Sequence, residues 1–303
     1  MLESEIKLAE KDVVRAQNET RMFDVLREYN KADRVVHIKE IVEELKKRRT
    51  QGPLVRGPFP KLSEFTGGFH AGQLIVISGP TGHGKTSLAK TFTAQFINEG
   101  ERSVWFSYEM PPIELTERFP GEVNFYIPRE LASGRLDWIE QRIAESLVKF
   151  RTSIVFIDHL HFLIDLQALA ISKNQSILIG ILLRQLKSIA IKYGILIFLM
   201  AHIRKLNLEE EVPGIDDLRD SSFVGQEADS VLLIWRKSKL RTKREAKDGV
   251  PQEWTNESHI ALVKNRRTGA LGEFDVMYDH RTNAFTEIDR IRGGDDGGNS
   301  GFA

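Results

Sequence analysis

The sequence predicts an α/β fold in which helices flank a mostly parallel central sheet, and three observations predict it. A glycine-rich loop follows a short apolar run and precedes a segment with helical periodicity. From residue 62 onward, apolar runs rich in β-branched residues alternate with amphipathic segments, as in strands joined by crossover helices. Several of these runs end in a polar or charged residue, as expected where strand ends border a ligand crevice.

The apolar runs and the amphipathic segments give an ordered set of elements. The predicted strands are residues 73–78, 103–108, 153–157, 195–201 and 230–235. The predicted helices are residues 85–98, 112–119, 137–149 and 174–193. Gly194 follows the last helix as a C-cap residue. Residues 258–264 and 272–278 predict two further strands, joined as a hairpin by the turn at residues 266–269.

The 303 residues divide by composition into four parts. Residues 1–50 are highly charged and helical in pattern, and their apolar stripe must pack either on their own domain or on a neighbouring copy. Residues 51–61 are rich in Gly and Pro and predict a linker. Residues 62–290 form the predicted α/β domain, and the Gly-rich tail at 291–303 predicts disorder.

Charge and cysteine content limit the classes of function. The 43 basic and 43 acidic residues balance, so attraction to nucleic acid must come from local basic loops. The absence of cysteine excludes disulfides, cysteine zinc sites and thiol catalysis. The N-terminus lacks a signal-peptide pattern, and no apolar stretch approaches the ~18 residues of a membrane span. We therefore expect a soluble intracellular protein with no membrane partner.

Residues 79–86 read GPTGHGKT and satisfy the pattern G-x-x-x-x-G-K-[ST] in full. Between a strand and a helix, this pattern predicts a phosphate site built from backbone N–H groups and the positive helix N-terminus. Lys85 would reach the β- and γ-phosphates, and the Thr86 hydroxyl would hold Mg²⁺. The predicted cofactors are therefore ATP, or another nucleoside triphosphate, and Mg²⁺. The expected nucleotide contacts in this loop are Gly79, Pro80, Thr81, Gly82, His83, Gly84, Lys85, Thr86 and Ser87.

Three predicted strands end in groups suited to nucleotide hydrolysis. Asp158 follows one strand and would join the Mg²⁺ shell. Glu109 follows the strand before it and would polarise the attacking water. His202 ends a third and would donate to the γ-phosphate. The alternatives are an aspartate that caps a turn, a solvated glutamate and an ordinary buried histidine.

These motifs together resemble a known family. Their order in the chain looks like the RecA-like helicase domain of ring-shaped replicative helicases: the bacterial DnaB type, the phage primase-helicases and the mitochondrial helicase Twinkle. The resemblance covers about residues 60–290. Besides the phosphate loop, it rests on the segments SYEMP (107–111), FID (156–158), AH (201–202), DLRDS (217–221) and QEAD (226–229), of which the Glu-Met-Pro element, DLRDS and QEAD are the most specific.

The resemblance implies roles for single residues. Glu109 corresponds to the catalytic base and Asp158 to a carboxylate of the metal shell. His202 matches the γ-phosphate sensor of the phage and mitochondrial branch. Arg266, with Lys264 beside it, stands at the position of an arginine finger that acts on the neighbouring subunit. From the residues alone, this turn is more often a solvated basic loop.

The resemblance also implies how the base and the DNA are bound. Arg236 and Tyr278 match positions that sandwich the nucleotide base. One DNA-binding loop would hold Arg204 and Lys205, although residues 209–211 make its tip acidic. The second DNA-binding loop would contribute Arg219, Asp220, Ser221 and Ser222, with Ser222 standing where glycine is usual.

The function implied by the resemblance is an ATP-dependent replicative-type DNA helicase. It would form a ring, the hexamer that is typical of the family, and move 5′–3′ on single-stranded DNA to unwind forked duplex. A separate primase or loader is a further partner that the resemblance implies. The chain has no cysteine ligands for a primase zinc site, so coupled priming would need a separate protein or a further part of the chain. The location that the resemblance implies is the cytoplasm of a bacterium or a phage-infected cell, with a mitochondrial location less favoured. Two alternatives stay open: a RecA-like recombinase or DNA-remodelling ATPase, and a non-translocating ATP-gated loader, which the acidic residues 209–211 favour.

Overall fold

The computed structural model describes most of the predicted α/β domain. The described residues are 37–39, 53–164, 175–202, 221–239 and 253–288. The chain divides by its internal contacts into residues 1–52 and residues 53–303. Apart from 37–39, the predictions for residues 1–50 and for the tail at 291–303 lie outside the described residues.

The described elements follow the predicted alternation. The strands are β1 (Leu74–Gly79), β2 (Ser103–Ser107), β3 (Ile154–Asp158), β4 (Leu196–His202), β5 (Ser230–Ser238), β6 (Trp254–Asn265), β7 (Gly272–Asp279) and β8 (Ala284–Glu287). The α-helices are α1 (Pro60–Thr66), α2 (Lys85–Asn98), α3 (Pro112–Glu117), α4 (Leu136–Phe150), α5 (Gln175–Tyr193) and α6 (Ser221–Glu227). A short 3₁₀ helix spans Leu160–Leu163. Among the described residues, no helix is both long enough and apolar enough to cross a membrane.

The strands form one sheet in the order β2-β3-β4-β1-β5-β6-β7-β8. The five strands from β2 to β5 are parallel, and the last three add antiparallel pairs at one side. Parallel strands bring their carboxyl ends to one edge of the sheet, and a ligand crevice forms along that edge. The phosphate loop leaves β1, which lies inside the parallel part of the sheet, at this edge.

Helices cover both faces of the sheet. One core lies between the sheet and α4 and α5, and the other lies between the sheet and α1 and α2. The apolar stripe of α2 is buried in the second core, and its members are Leu88, Ala89, Phe92 and Phe96. Burial on both faces accounts for the continuous apolar runs of strands β1, β2 and β3, because neither face of these strands meets water.

Most predicted boundaries are within two residues of the observed ones, and the differences have physical causes. Helix α2 matches its prediction, and Gly194 follows α5 in the left-handed conformation. Helix α3 ends two residues early, at Glu117. Strand β6 starts four residues before its predicted start because its first part pairs with the far end of β5, beyond the apolar stretch.

The predicted linker is wrong from residue 53 onward. Val55 and Phe59 are buried, and Val55 pairs with Phe69 in an antiparallel bridge. Helix α1 then starts at Pro60, where the fixed φ of proline suits a first helical position. The Gly and Pro content that indicated a linker instead belongs to a segment packed on the sheet. Strand β8 was not predicted, since its four residues carry no clear alternation.

Candidate nucleotide-binding site

Close packing explains why the phosphate loop has glycines at its first and sixth positions. A Cβ atom on Gly79 would lie 2.1 Å from the carbonyl oxygen of Ile234 on the neighbouring strand β5. Gly84 has a φ of 96°, and a Cβ there would meet the ring of Phe285 at 3.0 Å. The unpredicted strand β8 therefore packs against the loop, and the loop can hold this path only with glycine at both positions.

Lys85 starts helix α2 and is buried against the loop it follows. Its ammonium group donates hydrogen bonds to the carbonyl oxygens of Gly79 and Pro80, both at 3.0 Å. Burial lowers the pKa of Lys85 to about 8, and the nearby carboxylates of Glu109 and Asp158 oppose this shift. The structure thus brings Lys85 together with both acidic residues that the sequence predicted for the site.

Thr86 and Asp158 form a direct pair at the centre of the site. The Thr86 hydroxyl donates to Asp158 Oδ2 at 2.9 Å, and the other carboxylate oxygen, Oδ1, is buried with no hydrogen-bond partner among the described residues. Burial raises the pKa of Asp158 to about 6, against the opposing hydrogen bond from Thr86. An unpaired buried oxygen beside a hydroxyl is an oxygen set that fits Mg²⁺.

Glu109 and His202 lie at the same edge as the loop. Glu109 is exposed just beyond β2, and its backbone N–H donates to the Asp158 carbonyl oxygen at 3.3 Å. His202 is half-buried at the end of β4, where it stands opposite Gly79 in the parallel register. The two predicted hydrolytic groups therefore border the phosphate loop from two different strands.

Two further histidines belong to this edge and were missed by the sequence analysis. His159 follows Asp158, and its ring lies 4.4 Å from that of His202, centroid to centroid. The His161 ring lies 5.2 Å from that of His159. Burial, followed by the nearby His202 and His161, lowers the pKa of His159 to about 3, so the ring is neutral. The available signal was the segment DHLH directly after a strand.

A cavity of about 270 Å³ opens beside the phosphate loop. Arg236 and Tyr278, the two residues predicted to bind the base, both line it, together with Gly82, His83 and Gly84 of the loop and Ser87 of α2. The Arg236 guanidinium is held by the carbonyl oxygen of Thr255, with Nε at 3.1 Å and Nη2 at 2.9 Å. Thr255 lies in the part of β6 that the sequence analysis left unassigned, so this contact could not be anticipated.

His83 ties the loop to the wall of that cavity. Its Nδ1 accepts a hydrogen bond from the backbone N–H of Arg236 at 3.0 Å, and its ring packs edge-on against Trp254. Burial lowers the pKa of His83 to about 4, and the charges of Arg236 and Lys85 add to the effect. The hydrogen bond requires an unprotonated Nδ1, so the loop is fixed by a neutral imidazole.

The predicted arginine finger, Arg266, lies in the turn after β6, and Lys264 lies at the end of β6. Both side chains contact backbone carbonyl groups at the end of helix α6. Lys264 Nζ donates to the carbonyl oxygens of Gly225 and Ala228, and Arg266 Nη2 donates to that of Gln226. These carbonyl groups end the helix, where the dipole favours cations. The QEAD segment is therefore the support on which the basic turn rests.

Strand register puts this turn at the edge of the sheet opposite the phosphate loop. Asn265, the last residue of β6, pairs with Ser230, the first residue of β5. Ser230 stands beside Ile75, four residues before Gly79 on β1. At about 3.3 Å per residue, the level of Ile75, Ser230 and Asn265 is roughly 13 Å from the level of Gly79 along the strands. Arg266 and Lys264 therefore lie at the amino-terminal edge, away from the nucleotide site of their own chain.

The predicted DNA-binding residues are mostly outside the described part of the chain. Arg204, Lys205, Arg219 and Asp220 fall in the undescribed range 203–220. Ser221 and Ser222 are described only as the first residues of helix α6. Ser221 and Ser222 therefore begin the helix whose other end supports Lys264 and Arg266.

Comparison with known proteins identifies the family. A family model described as the DnaB-like helicase C-terminal domain matches residues 55–149 and 126–287, which together make up more than half of the chain. The chain belongs to the DnaB-like helicase C-terminal domain family. The matched residues contain the phosphate loop, the three strand-end groups and the basic turn of this domain.

Curated relatives carry the corresponding names. The replicative DNA helicase DnaB of Helicobacter pylori is 25% identical over 273 residues, which are 75% of this chain and 55% of the relative. That of Rickettsia typhi is 25% identical over 274 residues, 74% of this chain and 54% of the relative. A probable replicative DNA helicase of Trieres chinensis is 23% identical over 302 residues, 86% and 64% of the two chains. The chain spans about half the length of the two bacterial relatives.

Solved structures share the fold of this DnaB-like domain. One of them, described as an ATPase domain, superposes with a TM-score of 0.63 at 19% identity, over 83% of this chain and 97% of that one. A DnaB-like replicative helicase, solved in a study of its interactions with primase, gives 0.62 at 17% identity, over 89% and 71%. At such identities the likeness shows the fold alone, and the fold is the RecA-like one expected from the sequence.

Proposed function

We propose that this DnaB-like domain is the ATP-driven motor of a replicative-type DNA helicase, which forms a ring, moves along single-stranded DNA and unwinds duplex. Three observations support the proposal: membership of the family, the Thr86–Asp158 pair with its unpaired oxygen, and the position of Arg266 at the opposite edge of the sheet. The position of Arg266 is the observation that supports a ring. Arg266 and the phosphate loop of one chain lie at opposite edges of the sheet, so a complete catalytic site needs two copies of the chain.

Hydrolysis of ATP would use the groups at the carboxyl edge. Bound Mg²⁺ would neutralise charge on the β- and γ-phosphates, held by the Thr86 hydroxyl and Asp158 Oδ1. Lys85 would leave the loop carbonyl groups that it now contacts and pair with the phosphates. Glu109, exposed beside the site, would take a proton from the attacking water. His202 would donate to the γ-phosphate and respond to its loss.

The missing part of this site is a cation that stabilises the transition-state charge. Arg266 is half exposed, so its guanidinium is accessible to another subunit. Because it lies at the edge opposite its own phosphate loop, it can complete only the site of a neighbouring copy. A head-to-tail contact of this kind generates a closed ring when the rotation between subunits closes.

The base and the DNA complete the proposed cycle. Arg236 and Tyr278 would enclose the nucleotide base in the cavity beside the loop. The proposed DNA contacts come from the loops that hold Arg204, Lys205, Arg219 and Asp220, together with Ser221 and Ser222 at the start of α6. Single-stranded or forked DNA, further copies of this chain in a hexamer, and a separate primase or loader are the proposed partners.

The experiment that tests this function pairs assembly with unwinding. Native mass is measured with and without Mg·ATP, and strand release is measured on forked duplexes with either a 5′ or a 3′ single-stranded tail. We expect ATP-dependent rings, and strand release that depends on the 5′ tail. A monomer that hydrolyses ATP at full rate in the presence of DNA contradicts the proposal.

The two other functions give different results in the same assays. A recombinase or remodelling ATPase would hydrolyse ATP on single-stranded DNA but release no strand from a fork. A non-translocating loader would hydrolyse ATP at a rate that single-stranded DNA does not change. Stimulation of hydrolysis by DNA together with strand release is therefore the combination that only the helicase gives.

A further inference from the structure

Three neighbouring strands deliver a carboxylate and two imidazoles to one point at the carboxyl edge of the sheet. Glu109 follows β2, His159 follows β3 and His202 ends β4, and these three strands are adjacent in the sheet. One ligand atom from each residue lies within 4.8 Å of one from each of the others. The arrangement is set by three parallel strands and so does not depend on a single loop.

This set of donor atoms is characteristic of transition metals. Imidazole nitrogen and carboxylate oxygen are ligands of Zn²⁺, and two histidines with one carboxylate form a known three-ligand set that leaves a position open for water. Mg²⁺ prefers oxygen ligands only, which the Thr86–Asp158 pair offers and the histidine pair does not. The chemistry of the two places therefore selects different ions.

The geometry needs only a small adjustment to hold an ion. Bonds of about 2.0–2.1 Å in a tetrahedral site put ligand atoms roughly 3.3 Å apart, so the present upper limit of 4.8 Å must shorten by about 1.5 Å. Glu109 is exposed, so its carboxylate can approach the two imidazoles by rotation of its side chain. The centroids of the His159 and His202 rings are 4.4 Å apart, and the ring planes are at 73° to each other.

We propose that Glu109, His159 and His202 bind one divalent transition-metal ion of the zinc class in the nucleotide-free protein. The ion is held by side chains from three strands and lies next to the place where the γ-phosphate is expected. If the proposed function is correct, the same ion occupies the catalytic base and the phosphate sensor. Zinc then inhibits ATP hydrolysis by removing both groups from the reaction.

The first experiment measures binding without nucleotide. The full chain, free of any histidine tag and treated with a chelator, is titrated with Co²⁺, and the visible d–d absorption of the bound ion is followed. Zn²⁺ affinity is then obtained by competition with a chromophoric chelator. We expect one equivalent of bound Co²⁺, displaced by Zn²⁺, in the wild-type protein.

Variants assign the ligands. His159→Asn and Glu109→Gln each remove one donor and should weaken Zn²⁺ binding at least 10-fold. His280→Asn, which changes an exposed histidine at the rim of the base cavity, should leave the affinity within about 2-fold. Thermal unfolding of each variant checks the fold, and Glu109→Gln keeps the test decisive if His159→Asn fails to fold, because Glu109 is exposed.

Three outcomes overturn the proposal: no saturable Co²⁺ binding, an affinity unchanged in Glu109→Gln, or an equal loss in His280→Asn. Zinc inhibition of ATP hydrolysis at excess Mg²⁺ is a separate measurement. If the protein hydrolyses no ATP at all, the proposed function fails while the metal site stands. If hydrolysis is normal but no metal binds, the reverse is true.

Discussion

Arg266 rests on Asp229, at the edge of the sheet farthest from the phosphate loop. The Arg266 backbone N–H donates to the Asp229 carbonyl oxygen at 2.7 Å, and its guanidinium Nη1 lies 3.8 Å from Asp229 Oδ1. The other carboxylate oxygen accepts hydrogen bonds from Lys187 Nζ at 2.6 Å and from the Leu74 backbone N–H at 2.7 Å. One aspartate thus joins the start of β1, helix α5 and the basic turn.

Loss of the Asp229 charge should destabilise the domain. In Asp229→Asn the amide can still accept from Leu74, but Lys187 loses the partner of a mostly buried ion pair. We expect a loss of about 1–3 kcal/mol in the free energy of unfolding, measured by urea denaturation of the nucleotide-free protein.

The matched control for Asp229→Asn is a surface ion pair with a similar N···O distance. Lys192 and Glu140 are 2.7 Å apart, but the lysine side chain is 63% exposed, compared with 18% for Lys187. Glu140→Gln should therefore change the free energy of unfolding by less than about 1 kcal/mol. Equal losses in the two variants would show that burial does not set the strength of these pairs.

Arg266→Ala should remove ATP hydrolysis in a way that a second inactive variant can repair. Arg266→Ala keeps an intact phosphate loop, whereas Lys85→Ala keeps an intact finger. If the site is shared between subunits, mixed rings contain some complete sites, and the mixture should hydrolyse ATP faster than either variant alone. The finger is worth roughly 10³–10⁵ in rate, so even a small fraction of complete sites is detectable.

The control for the finger is the adjacent arginine of the same turn. Arg267 is exposed, and Arg267→Ala should retain hydrolysis within a few-fold of wild type. A mixture of Arg266→Ala and Lys85→Ala that stays inactive, together with a strictly proportional loss when Arg266→Ala is mixed into wild type, would refute a finger that acts between subunits.

Glu109→Gln should bind ATP but turn it over slowly. The amide keeps the size of the side chain and removes its ability to accept a proton, which costs about 10²–10⁴ in rate for a general base. The measurements are single-turnover hydrolysis and nucleotide binding by calorimetry. Glu122→Gln, at another exposed glutamate, is the control and should match wild type. Residual hydrolysis within 10-fold of wild type would remove Glu109 as the base.

The stability of the nucleotide-free protein should depend on pH through His83. Its pKa in the folded protein is lowered to about 4 from an ordinary value of 6.5, so folding favours the neutral ring. The contribution of the neutral His83 ring to the free energy of unfolding is therefore fully present above about pH 6.5 and is lost as the pH falls toward 4. We expect the wild-type protein to lose about 1–3 kcal/mol more than His83→Asn over this pH range. The side-chain oxygen of the asparagine can accept a hydrogen bond from the Arg236 backbone N–H at every pH.

Urea midpoints at about pH 7 and about pH 4.5 measure that difference. His280→Asn, at an exposed histidine of the same cavity, should keep the wild-type dependence on pH. A pH dependence in His83→Asn identical to that of the wild-type protein would show that the Arg236–His83 hydrogen bond does not control it.

The local part of the site was predictable because its signals are local. The motif at residues 79–86 fixes a turn, a helix start and the positions of Lys85 and Thr86 within eight residues. Asp158 could be assigned to the same site because it ends an apolar strand, and the carboxyl ends of parallel strands lie at the edge that holds the phosphate loop. The contact itself, from Thr86 to Asp158 over 72 positions of sequence, was visible only in the folded chain.

Other features depended on pairings that no local pattern contains. The segment DHLH marks His159 only as a histidine after a strand, and its ring meets that of His202 because β3 and β4 are neighbours in the sheet. Strand β8 is too short to show alternation, yet its Phe285 ring packs against Gly84 of the phosphate loop. The segment at 53–59 carries linker composition but packs its Val55 and Phe59 into the core.

By itself, the sequence determined the α/β alternation, the phosphate loop and the family, since each of these is written in periodicity, in short spacing or in ordered motifs. Only the tertiary structure decided which edge of the sheet each group occupies. Arg266 and Lys85 both belong to predicted nucleotide contacts, but strand register separates them to opposite edges. Register and crossover order arise from long-range pairing, and this is the physical reason why they could not be read from neighbouring residues.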